Sequence, residues 1–164
     1  MAVNNTRRIV HLPTTSTSDR QLEVLANELN IPVKVYMNDE IRDGGVKLHV
    51  NSASIINLQS SSFAGTHWVC CVDVSGQRNY FDSFAGYPSD NVLNYLTLPK
   101  TSIKRSFAVV QAFDSQDCGS LCLFVIQKLF TGQNYGTVLL FLQQKLENND
   151  RSPLWISVLH SPKN

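Results

Sequence analysis

From Gly119 to Phe130 the chain reads GSLCLFVIQKLF, apolar on nearly every side at helical spacing. A helix of that kind is central and buried rather than laid on a surface. Its beginning is abrupt. Asp114-Ser115-Gln116-Asp117 is polar, and Cys118-Gly119 sits on the seam where polar sequence gives way to the apolar run. A cysteine used only for packing belongs inside such a run, as Cys122 does. At a helix N-terminus, free backbone N–H groups and the macrodipole favour negative charge. A thiol is a strong nucleophile only as thiolate, and this position lowers its pKa. Gly119 behind it lets an incoming carbonyl approach backbone N–H groups that can hold an oxyanion.

Other elements follow from periodicity. Ser18 and Gln21 form an S-x-x-Q capping box before Leu22, Leu25, Ala26 and Leu29, which predicts an amphipathic helix over 19–29. Pro32 ends it, and Val33 to Tyr36 read as a short strand. Residues 37–46, with Gly44-Gly45, read as a loop, and 54–58 as a strand. Residues 66–74 and 78–84 form a hairpin about Ser75-Gly76. Ser89 caps a helix carrying Val92, Leu93 and Leu96. Residues 106–113 predict a strand, and 137–146 a further helix. Helices and strands mix without regular alternation, so the class is α+β. The 164 residues fit one domain, 1–164, with a central mixed β-sheet flanked by helices. Residues 1–18 are expected to be a flexible lead-in and 149–164 a weakly specified tail.

Formal net charge is +1, with 16% charged and 43% hydrophobic residues, which suits a folded chain and gives no overall electrostatic footprint for nucleic acid or membrane. Arg7-Arg8 and Lys104-Arg105 read as solvated surface. No apolar stretch approaches the roughly 20 residues that cross a bilayer. MAVNNTRRIVHLP lacks the apolar core of a secretory signal, so a reducing compartment and four free thiols are expected. Paired Cys/His spacings of a zinc site are absent. Cys70 and Cys71, adjacent on a strand, face opposite sides of the sheet. No metal and no cofactor are expected.

A thiolate needs a base. Among four histidines, His11 and His160 lie in weakly structured ends and His49 in an uncertain segment. His67 opens a hairpin strand after the permissive Gly65-Thr66, with Trp68 next to it. On the returning strand Asp82 stands between aromatic residues in YFDSF, a costly setting unless the acid is hydrogen-bonded. A hairpin turning at Ser75-Gly76 brings His67 alongside Asp82. Asp82 then holds one imidazole nitrogen and leaves the other for Cys118.

Three pieces in this order, GTHWVCCV (65–72), YFDSFAG (80–86) and QAFDSQDCGSLCLF (111–124), resemble the adenovirus maturation protease family of cysteine endopeptidases. They look closest to its relatives in virophages and in the large virus-like transposons called Polintons or Mavericks. IINL (55–58) also fits, and the resemblance runs from roughly residue 19 to 144. It implies a papain-like superfamily fold with rearranged His-Asp-Cys order. It also implies Cys118 as nucleophile, His67 as general base and acid, and Asp82 as the residue orienting the imidazole. The family's oxyanion-hole glutamine lies upstream of the cysteine; Gln111, seven residues before Cys118, fits that spacing better than Gln116. Together with the Cys118 N–H it would complete the hole. Trp68 would pack beside the catalytic histidine and the approach to the scissile bond.

The adenoviral enzyme has Glu where this chain has Asp82, and Ala85 interrupts the usual F-G pair. Its activation by a peptide and by DNA gains no support from the composition here, and nucleic-acid binding stays open. The function the resemblance implies is cleavage near small, Gly-containing sites in capsid or other virion precursors, by a monomer acting in the host cell cytoplasm or viral factory and packaged in virions in some cases. Removal of ubiquitin-like modifiers, which Asp117-Cys118-Gly119 and Asp82 also suit, is the alternative. A non-enzymatic assembly protein with this fold is the third. Gly44-Gly45 reads as a turn, with self-cleavage as the other reading.

Overall fold

The apolar run folds as helix α4 (Cys118–Phe130), and ten of its thirteen residues are buried. In this computed structural model, which describes residues 6–42, 45–59, 67–97 and 102–159, everything else is arranged about it. Chain order is β1 (Arg7–His11), α1 (Asp19–Glu28), β2 (Val33–Met37), α2 (Asn38–Ile41), β3 (Ala53–Asn57), β4 (Trp68–Val74) and β5 (Gln77–Phe81). Then follow α3 (Asp90–Leu96), β6 (Ile103–Arg105), α4, α5 (Tyr135–Glu147) and β7 (Trp155–Leu159). Five strands make one sheet in the order β2-β3-β4-β5-β6. Its middle pairs are antiparallel, whereas β2 runs parallel to β3 and β6 parallel to β5. The class is α+β with a mixed sheet, as the sequence predicts.

Strand alternation divides the core in two. Ile55, Cys70, Val72 and Phe81 share one buried cluster with α4, with Leu22 and Ala26 of α1, and with Val138, Leu139 and Leu142 of α5. Their strand neighbours Ile56, Val69, Cys71 and Tyr80 share the other with Ile41 of α2 and Val92, Tyr95 and Leu96 of α3. The adjacent cysteines thus point to opposite sheet faces, the consequence of a two-residue side-chain period. All four cysteines are free and buried. Among the described residues no helix is long and apolar enough to cross a membrane, and no group of His, Cys, Asp or Glu side chains is placed to hold a metal ion.

Helix α1 starts as its capping box dictates: Gln21 N–H donates to Ser18 Oγ at 3.1 Å and Ser18 N–H to Gln21 Oε1 at 2.8 Å. Ser89 caps α3 by accepting from Val92 N–H. Four expectations are corrected. Within the expected flexible lead-in, residues 7–11 form β1, paired antiparallel with β7 from the expected weak tail. Leu154, Ile156 and Val158 alternate inward, and Leu12 is buried beside them, so this small sheet closes over the core. The loop over 37–46 contains the short helix α2, whose Glu40 Oε1 accepts from Met37 N–H and whose Ile41 is buried. Gly44 lies outside the described residues, as do Gly65-Thr66 and His160.

The strand predicted over 106–113 does not form: β6 ends at Arg105, and an irregular run follows it. Its β-formers Phe107 and Val109 face solvent. Its neighbour β5 ends at Phe81, and beyond that point only single bonds remain, such as Val110 N–H to Ser83 O at 2.8 Å. Finally, the hairpin register sets Cys70 opposite Phe81 and Cys71 opposite Tyr80. His67 and Asp82 are therefore not cross-strand partners: one precedes β4, the other follows β5, and they meet diagonally at the open end of the hairpin.

At the turn end of the hairpin a buried ion pair holds the second core together. Arg78 Nε donates to Asp73 Oδ2 at 3.1 Å, and its Nη2 donates to Leu48 O at 2.8 Å. Asp73 Oδ1 accepts from Asn51 and Gly76 N–H groups. With Asp73 fully buried, Arg78→Met would leave that carboxylate without its cation. The expected loss is about 3–5 kcal/mol of stability, read as a lower urea midpoint.

Candidate active site

The first turn of α4 is fastened to the first residue of β4 through both sides of one residue's backbone. Trp68 N–H donates to Cys118 Sγ at 3.4 Å, and one helical turn on, the Cys122 thiol donates to Trp68 O at 3.6 Å. The Cys70 thiol reaches Cys122 O at 3.9 Å. Cys122 and Cys70 are thus small buried groups whose S–H bonds join helix to sheet. Cys118 is the first residue of α4, and its N-cap Asp117 leaves the first turn without a side-chain cap, accepting instead from Ser115 Oγ at 2.8 Å. The positive end of the helix is therefore directed at the sulfur and whatever approaches it.

His67 lies immediately before β4. Its Nε2 is 2.8 Å from Asp82 Oδ1, and the Cys118 thiol lies near enough to the imidazole to raise its pKa. With Nε2 on the carboxylate, Nδ1 is the nitrogen left for sulfur. Phe84 packs on the imidazole with ring centroids 5.3 Å apart. Thus the structure brings together Cys118, His67 and Asp82, three residues that the sequence reading singled out. His11 and His49 stand exposed elsewhere.

Asp82 is held from every side. Phe84 N–H donates to Oδ1 at 2.9 Å, Ala85 N–H to the Asp82 carbonyl at 2.9 Å, and Ser106 Oγ both accepts from Asp82 N–H and donates to its carbonyl. Ala85 has φ 59°, a left-handed conformation that costs an L-residue about 1 kcal/mol. This is how the extra residue in FDSFAG is accommodated. Gly86 then comes so near the carboxylate that a Cβ there would stand 2.6 Å from Oδ2, and its N–H helps keep the carboxyl charged.

Charge follows from these contacts. Burial opposes ionisation of both groups. At Asp82 the His67 hydrogen bond, the Phe84 and Gly86 N–H groups and the imidazolium charge outweigh burial and hold the carboxyl below its ordinary value. At His67 burial pulls the pKa down, but the bonds to Asp82 and Cys118 and their charges push it up to about 9. The signs are definite. Stabilisation by His67 is complete below its ordinary 6.5 and is lost as pH rises through about 9; that by Asp82 is complete above 3.8 and is lost on acidification.

Gln111 is buried. Its Oε1 accepts from Ser83 Oγ at 2.5 Å and its Nε2 donates to Ser115 O at 3.0 Å, whereas Gln116 is exposed. Gln111, Ser115 and Asp117 also border a cleft of about 380 Å³ running toward Lys145 and Arg151; neither His67 nor Cys118 lines it.

Two expectations change. The Trp68 indole does not face the approach to the thiol: it is buried, and its Nε1–H donates to Thr17 O at 3.0 Å. Gly119 makes room on its inner side, where a Cβ would overlap Thr17 Oγ1 and press on Leu22 and Trp68. Both residues serve the segment 12–18, which crosses the head of α4 and is tied there again by Ser120 Oγ to Pro13 O at 2.6 Å. Sequence reasoning missed this strap because its TTSTS composition reads as loop. The contribution of Ser83 and Ser106 was equally hidden, since their partners are distant in sequence.

No protein-family model matches the chain, and no curated protein matches it in sequence. Among solved structures it is similar to the crystal structure of the ASFV pS273R protease, with a TM-score of 0.53 and 17% sequence identity. That match covers 79% of this chain and 65% of that one, so the chain spans just under two thirds of the protease's length. At such identity the likeness concerns the fold. The present chain is a single α+β domain whose fold is similar to that of the viral protease.

Replacing Asp82 by Asn removes the charge that holds the imidazolium. The His67 pKa is expected to fall from about 9 toward the ordinary value near 6.5. Titration of the imidazole resonances by NMR reads this directly, and an unmoved pKa would contradict the electrostatic account.

Proposed function

We propose that the chain is a cysteine endopeptidase. The observation that carries this reading is the convergence of Cys118, His67 and Asp82 at the uncapped head of α4, with Nε2 of His67 2.8 Å from Asp82. Cys118 is the nucleophile, His67 the general base and acid, and Asp82 the residue that keeps the imidazole oriented and charged.

In this reading Cys118 acts as a thiolate beside the His67 imidazolium, its negative charge met by Trp68 N–H and the helix dipole. The thiolate attacks the scissile carbonyl carbon. Charge moves to the carbonyl oxygen, which is received by Cys118 N–H and one Nε2 hydrogen of Gln111. As the C–N bond breaks, His67 gives its proton to the departing amine, leaving a thioester on Cys118. Neutral His67 then takes a proton from water, hydroxide adds to the thioester, and the acid product leaves with the thiolate–imidazolium pair restored.

The substrates proposed are virion precursor proteins, cut near small Gly-containing sites. The three ordered motifs, with their resemblance to maturation proteases of adenoviruses, virophages and Polintons, and the fold shared with the ASFV pS273R protease, support this choice. A protease of virion precursors would act in the host cytoplasm or viral factory.

Co-expression of wild type and Cys118→Ala with candidate capsid precursors, read by mass spectrometry of fragment termini, tests the reading. Parallel incubation with ubiquitin-like fusions distinguishes the other protein substrate class. Cys118→Ala is expected to abolish cleavage. Gln111→Ala should lower the rate about 10²–10³-fold, and Asp82→Asn should be intermediate between Cys118→Ala and wild type, with its pH optimum displaced. Equal processing by Cys118→Ala and wild type would end the proposal.

A further inference from the structure

Asp82 and Ser83 are consecutive, yet their side chains serve different partners. Asp82 meets His67, whereas Ser83, fully buried, donates to Gln111 Oε1 at 2.5 Å. A glutamine side chain can present either end of its amide, and at an oxyanion site only the NH₂ end is useful. Here both ends are specified. Ser83 Oγ–H engages the oxygen, and Ser115 O, which can only accept, engages the nitrogen at 3.0 Å. Nε2 carries two hydrogens; Ser115 takes one, and among the described residues the other meets no acceptor, which leaves it for an oxyanion.

The peptide framework reinforces this arrangement. Val110 N–H donates to Ser83 O at 2.8 Å, which sets the segment before Gln111 against Ser83. One residue earlier, Ser106 grips both the N–H and the carbonyl of Asp82. The run 106–111, which fails to form a strand, is thus fastened to the Asp82-Ser83 peptide at three points.

Resting on the peptidase reading, we infer that Ser83 is a positioning residue that fixes the amide of Gln111 for oxyanion binding, so that the dipeptide Asp82-Ser83 registers the general base and the oxyanion donor against each other. Without the Ser83 hydroxyl, Gln111 Oε1 loses its buried donor and the amide is no longer held in one orientation. The thiolate–imidazolium pair, which Asp82 governs, is untouched.

The experiment is a double-mutant cycle on Ser83 and Gln111, using a peptide that the wild-type chain cleaves. Ser83→Ala is expected to lower kcat about tenfold with KM nearly unchanged. In the Gln111→Ala background the same substitution should have no further effect, because its target is gone. Alkylation of Cys118 by iodoacetamide, which needs no oxyanion hole, should keep its wild-type rate and pH profile in Ser83→Ala. That result also shows the variant is folded. Ser83→Cys, of similar shape but a weaker donor, should fall between Ser83→Ala and wild type, and it serves if Ser83→Ala does not fold. Full activity of Ser83→Ala, or losses that multiply in the double variant, would overturn the assignment while leaving the peptidase reading intact. A wild-type chain that cleaves no protein substrate would remove that reading and this one together.

Discussion

The attachment of α4 to β4 at Trp68 is the contact on which the rest depends. A buried helix in a small domain can slide or rotate along a sheet unless directional bonds fix it, because hydrophobic burial itself is non-directional. Here the N–H of Trp68 meets the first sulfur of the helix and its carbonyl meets a sulfur one turn on. The i, i+4 spacing of Cys118 and Cys122 matches the helix repeat, so both cysteines face the same point of the strand. His67, one residue before Trp68, is placed beside Cys118 by that same attachment.

The second requirement is electrostatic. A carboxylate as buried as Asp82 is costly unless its lone pairs are filled, and the loop 82–86 fills them with its own backbone. The left-handed Ala85 and the close approach of Gly86 are the local strain and the local permission that wrap the N–H groups around the acid. An acid satisfied in this way stays charged, and its charge raises the imidazole. The Asp73–Arg78 pair, at the opposite end of the same hairpin, is buried by the same rule but serves only to join elements of the second core. Two buried carboxylates on one hairpin thus have different roles, decided by whether the cation beside them also faces a thiol.

The head of α4 is further enclosed by the strap 12–18. Trp68 Nε1 holds it at Thr17 and Ser120 holds it at Pro13, while β1 continues it into the sheet with β7. The two ends of the sequence therefore brace the helix that carries the thiol. This explains why Gly119 faces inward. The space it leaves is taken by the strap.

Much of this was legible from the sequence by itself. The all-round apolar run determined a central helix, its polar seam determined that Cys118 heads it, the capping residues determined where α1 and α3 begin, and alternation about Ser75-Gly76 determined the hairpin. These are local properties, set by periodicity and by hydrogen bonds among near neighbours. What only tertiary structure decided is everything that rests on long-range partners. The diagonal meeting of His67 and Asp82 depended on the hairpin register, which sets Cys70 opposite Phe81. The loss of the strand over 106–113 depended on where β5 stops. The pairing of β1 with β7 joined segments far apart in sequence, so the inward alternation of Leu154, Ile156 and Val158 found its partner strand only in the fold. Ser83, Ser106 and Gly86 are small residues with no pattern of their own; their roles exist only because buried polar atoms need partners, and the fold alone determines which atoms are buried together.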